Sequence, residues 1–418
     1  MTSAWQRILL RDACLKTEQW KPRTEPRGDF YYIDVSAVSN DTFTITSPQA
    51  VTGTTAPGRA RKIVHARDVI YATVRPTLRR IALVPSEYHD HIASTAFCVV
   101  RADRKSAVPE FLYFLLLSDQ VNNAIAEAQH GASYPAVTDK DIFKQEVPLP
   151  PLPEQKKIAA LLLNIQRAIE TQEKTIQSVR DLKKSTMQNL FTRGLHGKKT
   201  KMTEIGEIPP GWKVEKLGDI LEDSVYGLSM RGQSMGKYPI LRMNCQVDGR
   251  VVFDNLQYVD IDRDTFEKFR LRDGDLLFNR TNSHDLVGRM AVFHSDREAV
   301  FASYLIRLRL CPGSVNPDFV NYYFNMPVTQ NRVKTLASKG VSQSNISASK
   351  LKTFEVPITI PEEQEDIVGK LGTVDEKITL HESKKSALQD VFKATLNRLM
   401  TGKIRVEDLH VDVSEVET

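Results

Sequence analysis

Several segments of the chain combine basic side chains with Gly, Ser, Thr, Asn and Gln, the residue types that proteins use to hold nucleic acid. Arg can bind guanine through two hydrogen bonds, Asn and Gln can bind adenine in the same way, and Ser, Thr and backbone N–H groups bind phosphates. The candidate residues of the first half are Arg59, Arg61, Lys62, Thr73, Arg75, Thr77, Arg79, Arg80, Ser133 and Tyr134. Those of the second half are Arg231, Asn279, Arg280, Asn282, Ser283, His284, Lys339, Ser342, Gln343 and Asn345. These segments predict contacts to DNA, although ordinary polar surface loops share their composition.

The placement of these residues repeats along the chain, because the sequence contains two copies of one unit about 207–209 residues apart. The clearest matches pair residues 131–137 with 340–346, 146–148 with 355–357, and 154–158 with 363–367. Candidate segments 73–80 and 279–284 follow equivalent predicted strands in the two copies. Because the equivalent loops carry different side chains, we expect the two copies to recognise different DNA sequences.

Two long segments, which start near Glu154 and Glu363, have the pattern of extended amphipathic helices. The first contains no Gly or Pro until Gly194, and its apolar residues follow the heptad-like spacing of a coiled coil. A helix of roughly 40 residues is about 60 Å long. Residues 154–202 are predominantly basic and residues 357–418 are predominantly acidic. The sequence therefore predicts that the two helices pair within the chain, with an antiparallel pair favoured over a parallel one.

The rest of each copy shows short apolar runs separated by turn residues, with helical segments predicted at 111–117 and 319–324. We therefore predict an α+β fold, in which two mixed α/β domains related by a pseudo-two-fold axis are joined by an antiparallel coiled coil. The predicted parts are a first domain at 1–147, a first spacer helix and linker at 148–204, a second domain at 205–356, a second spacer helix at 357–405 and a C-terminal tail at 406–418. Residues 198–212 are predicted to form a polar linker.

The sequence also argues against several other classes of protein. It has no apolar run of about 18 residues, the length of a transmembrane helix, and its N-terminus lacks the apolar region of a signal peptide. The four cysteines form no C-x-x-C pair, and His89-Asp90-His91 is more typical of a solvated loop than of a metal site. Nucleotide-binding, methyltransferase and metalloprotease motifs are absent. We expect a cytoplasmic, non-enzymatic chain that binds no cofactor, metal or membrane.

Along essentially its whole length, the sequence resembles the specificity subunits of Type I restriction–modification enzymes. The resemblance rests on residues 147–155 with Ile158, their copy at 356–367, the helix ends at 190–192 and 399–404, and residues 208–212. It implies that each globular domain is a target-recognition domain that reads one half of a bipartite site in double-stranded DNA. It also implies that the two helices act as a spacer and as the docking surface for two methyltransferase subunits.

The same resemblance assigns all chemistry to partner subunits. The methyltransferase subunits would use S-adenosylmethionine to methylate adenine, and restriction subunits would use ATP and Mg. This chain would then be the non-catalytic member of a complex that is both a site-specific DNase and an adenine methyltransferase. One departure concerns the first copy, where Tyr134-Pro135 replaces the order seen at Gln343 and Asn345. Contacts implied for Gln343 and Asn345 therefore do not transfer to the first domain.

Two other functions fit the same residues. The chain could be the specificity module of another restriction or phage-defence system, which its neighbouring genes would reveal. It could also be a coiled-coil scaffold whose globular domains bind protein. The scaffold predicts no salt-dependent affinity for DNA, whereas any DNA reader must show it, because binding releases counterions from the phosphates.

Overall fold

The computed structural model describes residues 5–21, 25, 27–131, 134–195, 197, 199–313, 315–339, 343–406 and 409–417. The chain forms two compact units. The first contains Met1–Lys174 and Glu382–Thr418, and the second contains Thr175–His381. Each unit therefore includes one globular half of the chain and part of each long helix. The predicted domain boundaries divide the chain between its globular and helical parts instead, and they remain a prediction.

The helices and strands alternate in the same general order in the two halves. The elements before the first long helix are β1 Gln6–Leu9, β2 Cys14–Leu15, β3 Asp29–Ile33, β4 Gln49–Thr52, β5 Ala60–Val64, β6 Val69–Ala72, β7 Ile81–Leu83, β8 His91–Ser94, β9 Phe97–Ala102, α1 Pro109–Leu117, α2 Asp119–Glu127, α3 Asp139–Phe143 and β10 Glu146–Leu149. The first long helix is α4 Leu152–Arg193.

The second half continues with further strands and short helices before its own long helix. They are β11 Lys201–Thr203, β12 Gly206–Ile208, β13 Lys213–Lys216, β14 Leu221–Tyr226, β15 Tyr238–Leu241, β16 Gln246–Val247, β17 Arg250–Val251, β18 Gln257–Val259, α5 Arg263–Phe269, β19 Asp275–Asn279, β20 Thr281–Asn282, β21 Met290–Phe293, β22 Val300–Phe301, β23 Leu305–Leu310, α6 Pro317–Phe324, α7 Pro327–Thr335, β24 Ser338–Lys339, β25 Ser344–Asn345, α8 Ala348–Lys352 and β26 Glu355–Ile358. The chain ends with α9 Pro361–Met400 and α10 Ser414–Glu417.

Each globular part is built on two main sheets. In the first unit the strand orders are β4-β3-β8-β5 and β2-β9-β6-β7. In the second they are β14-β23-β19-β21-β17-β16 and β18-β15-β22. A separate antiparallel pair joins the start of each repeat to the strand before its long helix, β1 with β10 and β13 with β26. The two halves therefore share a plan, and the α+β fold is confirmed.

The helices α1 and α6 form the apolar centre of their units, as their sequences predict. Every residue of α1 is buried, including Phe111 and Phe114, because this helix packs against strands on one side and against long-helix residues such as Phe392 on another. In the second unit Phe319 packs in the same way against Phe191 of α4, with ring centroids 4.9 Å apart. Burial of such aromatic rings contributes about 1.5–3 kcal/mol per side chain.

Within each unit the long-helix segments pair in the antiparallel sense. In the first unit Glu173 of α4 lies 2.8 Å from Lys385 of α9, whereas Glu154, nearer the start of α4, binds Arg405 beyond the end of α9. In the second unit Lys183 lies 2.7 Å from Asp375. The predicted antiparallel pairing is therefore confirmed within each unit. Lys183 and Asp375 pair a basic residue of α4 with an acidic residue of α9, as the net charges of the two segments predict, whereas Glu173 and Lys385 pair in the opposite sense.

The repeated Glu-Gln sequence at the start of each long helix anchors that helix to its globular part. The Glu154 carboxylate accepts a hydrogen bond from the indole nitrogen of Trp5 at 3.0 Å. The copy, Glu363, accepts from the indole nitrogen of Trp212 at 2.8 Å. Each contact joins residues about 150 positions apart in sequence, so it fixes where the helix begins relative to the first strand of its own repeat.

The glutamine beside each of these acids satisfies buried backbone groups. Gln155 is fully buried; its Oε1 accepts from the Val108 N–H at 2.8 Å and its Nε2 donates to the Pro150 carbonyl at 2.8 Å. Gln364 repeats this arrangement with the Asn316 N–H and the Thr359 carbonyl. A buried N–H without a partner would cost about 1–3 kcal/mol, which gives these glutamines a structural reason to recur.

The segment predicted as a polar linker, residues 198–212, contains regular structure instead. Strands β11 and β12 form an antiparallel hairpin whose turn includes Gly206 at φ +105°, a backbone conformation that glycine adopts easily. Ile208 and Trp212 are buried in the core of the second unit. The linker prediction was therefore wrong, because the turn residues mark a hairpin and not an extended connection.

The C-terminal tail packs against the first unit. Val406 and Val416 are buried, and Arg67 Nη2 donates to the Val416 carbonyl at 2.8 Å. Arg67 also forms two hydrogen bonds with the carboxylate of Glu110. Over the ranges that the structure describes, none of the helices is both long and apolar enough to cross a membrane.

Candidate DNA interface

A small three-stranded sheet brings together two of the predicted loops in the second unit. Strand β25 lies between β20 and β24, with Asn345 opposite both Thr281 and Ser338. Residues 281–282 and 344–345, which are separated by more than fifty residues in sequence, therefore form one surface. The sheet gives the loop residues a fixed backbone, and fixed side chains are what the reading of base edges requires.

Arg280 is held by three side-chain contacts on this surface. Its Nη2 donates to Oδ1 of Asn345 at 3.1 Å, and its Nη1 donates to the Ser303 carbonyl at 3.3 Å. The guanidinium carbon lies 4.8 Å from the ring centroid of Tyr226, a cation–π contact. These contacts fix the orientation of the Arg280 guanidinium, and each Nη nitrogen carries a second N–H group that neither hydrogen bond uses.

The side-chain amides of Asn345 and Asn282 are occupied within the protein. Asn345 Nδ2 donates to Thr281 Oγ1 at 2.8 Å, while its Oδ1 accepts from Arg280. Asn282 Nδ2 lies 3.3 Å from the sulfur of Met243, and its Oδ1 accepts from the Ser283 N–H at 2.8 Å. Both amides therefore hold neighbouring side chains in place, a role that their predicted function as adenine readers did not include.

The remaining candidates of the second unit are divided between the surface and the core. Arg231, Ser283, His284 and Gln343 are exposed. Asn279 is only 2% exposed at the end of strand β19, and this burial excludes it from the interface. Ser342 lies outside the described residues, as does the side chain of Lys339.

The first unit repeats the backbone arrangement with other side chains. Ala136 forms antiparallel backbone β-bridges with Val74 and with His130. In the second unit Asn345 is paired in the same way with Thr281 and with Ser338. Arg75 has a left-handed backbone at φ 47°, and its N–H donates to the Pro135 carbonyl at 2.7 Å.

The surface around this bridge in the first unit is both aromatic and basic. The Arg75 guanidinium lies 5.7 Å from the ring centroid of Tyr134, which is 78% exposed. These side chains line an open groove together with Arg59, Val35 and Leu78. Thr77 is also exposed. Arg61 is half-buried, and its Nη1 donates a hydrogen bond to the Ala60 carbonyl. Ser133 lies outside the described residues.

Four first-unit candidates have structural roles that the sequence did not reveal. Lys62 is only 7% exposed and forms an ion pair with Asp139. Thr73 is buried and its hydroxyl donates to the Ala96 carbonyl at 2.9 Å. We therefore exclude both residues from the interface, because burying a charge or hydroxyl requires a partner inside the protein.

The other two are arginines that hold loops. Arg79 forms an ion pair with Asp119 at 2.6 Å. Arg80 Nη1 donates to the carbonyls of Val35 and Val38, at 3.0 and 2.6 Å. Arg80 thereby fixes the short 3₁₀ helix Val35–Ala37, and we assign it to the support of the surface rather than to DNA contact.

Sequence reasoning missed three partly exposed residues of this surface: Tyr226 and Tyr304, which contact Arg280, and Met243, which contacts Asn282. The ring of Tyr226 makes the cation–π contact with the Arg280 guanidinium, and its hydroxyl accepts a hydrogen bond from the Ala348 N–H at 2.8 Å. The Tyr304 carbonyl accepts a hydrogen bond from the Arg280 backbone N–H. A search for basic and amide residues passes over such apolar side chains. Among the described residues, no group of three or more His, Cys, Asp or Glu could hold a metal ion.

Comparison with known proteins agrees with this arrangement. The family described as Type I restriction modification DNA specificity domain matches residues 8–180 and again residues 209–390. The chain belongs to this family. It is therefore a Type I restriction–modification specificity subunit, a protein class that recognises DNA sequence.

Individual relatives have similar length. The chain is 27% identical over 321 residues to the Type I restriction enzyme MjaVIII specificity subunit of Methanocaldococcus jannaschii, covering 75% of this chain and 74% of the relative. It is 25% identical over 300 residues to the EcoKI specificity subunit of Escherichia coli K12, covering 69% of this chain and 64% of the relative. The specificity subunit has two matched domains, in agreement with the internal repeat.

Solved structures support the same fold. One similar chain comes from a structure described as the structural basis of complex assembly and conformational transition of the type I R-M system. It has a TM-score of 0.60 and 27% identity and covers 97% of this specificity subunit and 99% of the solved chain. The S subunit of a Type I system from M. genitalium has a TM-score of 0.56 at 14% identity, with coverage of 95% and 96%, which shows the fold alone.

Proposed function

We propose that each unit of this specificity subunit reads one half of a bipartite site in double-stranded DNA. The observation that carries the proposal is the repeated backbone bridge, Val74 with Ala136 and Thr281 with Asn345. Equivalent backbones present Arg75 and Tyr134 in one unit and Arg280 and Gln343 in the other. One scaffold with two sets of side chains is suited to recognising two different short sequences.

Recognition by these surfaces would combine two kinds of contact. Exposed groups such as Ser283, His284 and the backbone N–H groups of the loops would hold phosphates and set the position of the duplex. The remaining donors of Arg280 would bind acceptors on a base edge in the major groove, as the Arg75 guanidinium beside Tyr134 would in the other half-site. Direct readout through a bidentate contact is worth about 1–3 kcal/mol of discrimination.

The long helices would connect the two readers and dock the catalytic partners. Each unit leaves apolar helix residues on the surface, Val391 in the first unit and Leu182 and Leu380 in the second, each about half exposed. Exposed apolar residues on otherwise polar helices are suited to protein contacts. We assign this surface to two adenine methyltransferase subunits, and through them to restriction subunits, in the cytoplasm.

The proposed division of labour leaves this chain without chemistry of its own. S-adenosylmethionine would be bound by the methyltransferase subunits, and ATP and Mg by the restriction subunits. The part of this chain is to place the methyltransferase over an adenine within the recognised sequence, so that proximity and orientation select the methylated base.

The direct test is DNA binding by the chain in complex with its methyltransferase partner. We expect binding to a duplex that carries the specific site to resist excess unrelated duplex, and the logarithm of the affinity to fall linearly with the logarithm of salt concentration. Omitting this chain should abolish the preference for the site. Equal binding to all duplexes, or no dependence on this chain, would overturn the proposal and would favour the protein-binding scaffold.

A further inference from the structure

An exposed methionine stands beside the amide of Asn282 on the candidate interface of the second unit. Met243 is 37% exposed, and its sulfur lies 3.3 Å from Asn282 Nδ2. The Asn282 amide is itself held, because its Oδ1 accepts from the Ser283 N–H. A free methionine side chain is flexible, and fixing one at a surface costs conformational entropy. A surface methionine that is held in this way is therefore suited to contact a ligand.

The backbone that carries Met243 is also fixed. Met243 is the first residue of the short 3₁₀ helix Met243–Cys245, and Cys245 is buried in the core of the unit. The next residue, Gln246, donates from Nε2 to the Leu277 carbonyl at 2.7 Å. The thioether thus projects from a rigid turn, close to the loop that contains Asn282 and follows Arg280.

The first unit has an apolar residue at the equivalent position. Its short 3₁₀ helix, Val35–Ala37, begins with Val35, and this residue lines the groove that also contains Arg75 and Tyr134. Arg80 fixes that helix by donating hydrogen bonds to the carbonyl of Val35 and to that of Val38, which directly follows the helix. The two units therefore share a rigid turn that places an apolar side chain next to the candidate base-reading residues.

The major groove offers one apolar group for such a side chain. Of the base edges there, only thymine carries a methyl group, at C5, whereas the other groups are hydrogen-bond donors and acceptors. We propose that Met243 contacts a thymine methyl in the half-site read by the second unit, and that Asn282 is a positioning residue for Met243. This inference rests on the proposed function, which it deepens by naming the base.

The test replaces thymine by uracil, which lacks only the C5 methyl group. Duplexes that carry the site determined for the complex are made with one thymine at a time replaced in both half-sites, and their affinities are measured with the complete complex. We expect one position in the second half-site at which uracil lowers affinity about fourfold, the equivalent of about 0.8 kcal/mol for one buried carbon group.

Variants then assign that methyl contact to Met243. Met243→Ala should bind the thymine and uracil duplexes equally, and Met243→Leu, which keeps apolar volume, should retain a preference for thymine. Asn282→Ala should reduce the preference while Met243 is still present. Met202→Ala is the matched control, since Met202 is exposed on β11 and outside the loops of the interface, and it should retain the full preference.

The possible results separate the inference from the proposed function. If specific binding persists but uracil has no effect at any thymine, or if Met243→Ala keeps the full uracil effect, the inference is wrong and the proposed function stands. A second half-site that contains no thymine would likewise show that the inference is wrong while the proposed function stands. If the wild-type complex shows no sequence preference at all, the proposed function itself fails. Thermal unfolding of each variant confirms that this exposed position has not altered the fold.

Discussion

Arg280 donates a hydrogen bond from Nη2 to Oδ1 of Asn345 at 3.1 Å, across 65 residues of sequence. The contact joins two candidate residues that the sequence placed in separate loops. The two residues differ in what they leave unused. Both the oxygen and the nitrogen of the Asn345 amide make hydrogen bonds within the protein, whereas Arg280 has further N–H donors. Arg280 is therefore the residue of this pair that we expect to touch a base, with Asn345 and Tyr226 holding it.

Removing the Arg280 guanidinium should relax recognition of one half-site only. For Arg280→Ala we expect a loss of about 1–3 kcal/mol in binding to the cognate sequence and tolerance of other bases at one or two positions. Arg280→Lys should show the same relaxation, since an ammonium cannot reproduce the planar fork of arginine. Selection of binding sites from a random duplex library by the variant complex measures both effects.

The first unit supplies the matched comparison for this experiment. Arg75→Gly removes the guanidinium at a position where glycine accepts the left-handed backbone without strain. It should relax the other half-site and leave the one affected by Arg280→Ala unchanged. Uniform weakening at all sequences would instead identify the altered arginine as a phosphate contact.

Lengthening both long helices together should change the gap between the half-sites. An insertion of seven residues into α4 near Lys174 and another into α9 near Glu382 preserves the heptad phase and adds about 10 Å of helix. At about 3.4 Å per base pair, we expect a gap about three base pairs longer with both half-sites unchanged. Methylation mapping checks the result, and altered half-site sequences would contradict the role of the helices as a spacer.

The buried glutamine at the start of α4 should contribute measurably to stability. Gln155→Ala leaves the Val108 N–H and two carbonyls without their partner, at a cost of about 1–3 kcal/mol. Denaturant unfolding measures the loss, and hydrogen exchange at the Val108 amide should become faster. Gln177→Ala, on the exposed face of the same helix, is the control and should change stability by less than about 0.5 kcal/mol. Equal effects of the two substitutions would show that the buried contacts do not stabilise the fold.

Stability of the second unit should fall at alkaline pH because of His294. A hydrogen bond to Asp318, with a further contribution from Asp273, raises the pKa of His294 from 6.5 to about 9. The protonated ring therefore stabilises the folded protein fully below pH 6.5, and this contribution is lost as pH rises through about 9. Because the ring is half exposed, we expect no more than about 1 kcal/mol.

Comparison of two histidine variants over pH 6–10 tests this assignment. At pH 6 the wild type should unfold at a higher temperature than His294→Asn. This difference in unfolding temperature should disappear as the pH rises to 10. The same substitution at His284, on an exposed loop, is the control for the exchange itself and should leave thermal unfolding at pH 6 close to that of the wild type. An advantage of wild type over His294→Asn that persists at pH 10 would show that the ion pair is not its source.

The repeat and the long helices were predictable from sequence. The match between 154–158 and 363–367 marks helix starts because Glu154 and Gln155 make buried contacts that the copy must also make. Helix α1 was visible as an apolar run because it is buried on all sides. In such cases a local sequence pattern corresponds directly to burial or to a repeated contact.

The roles of single side chains were less predictable, because they depend on partners distant in sequence. Lys62 belongs to a basic segment, but a register shift in β5 and the presence of Asp139 place it inside the protein. Met243 contains no polar group that a search for DNA contacts would select. Its importance follows only from the contact with Asn282, 39 residues away.

The measurement that tests the central claim most directly is a genome-wide map of N6-methyladenine by long-read sequencing. Cells that express this chain with the adjacent methyltransferase are compared with cells that lack only this chain. The account predicts one bipartite motif, with two short half-sites around a gap of fixed length, that disappears when the chain is absent. Methylation that persists without the chain, or a motif with a single continuous site, would contradict it.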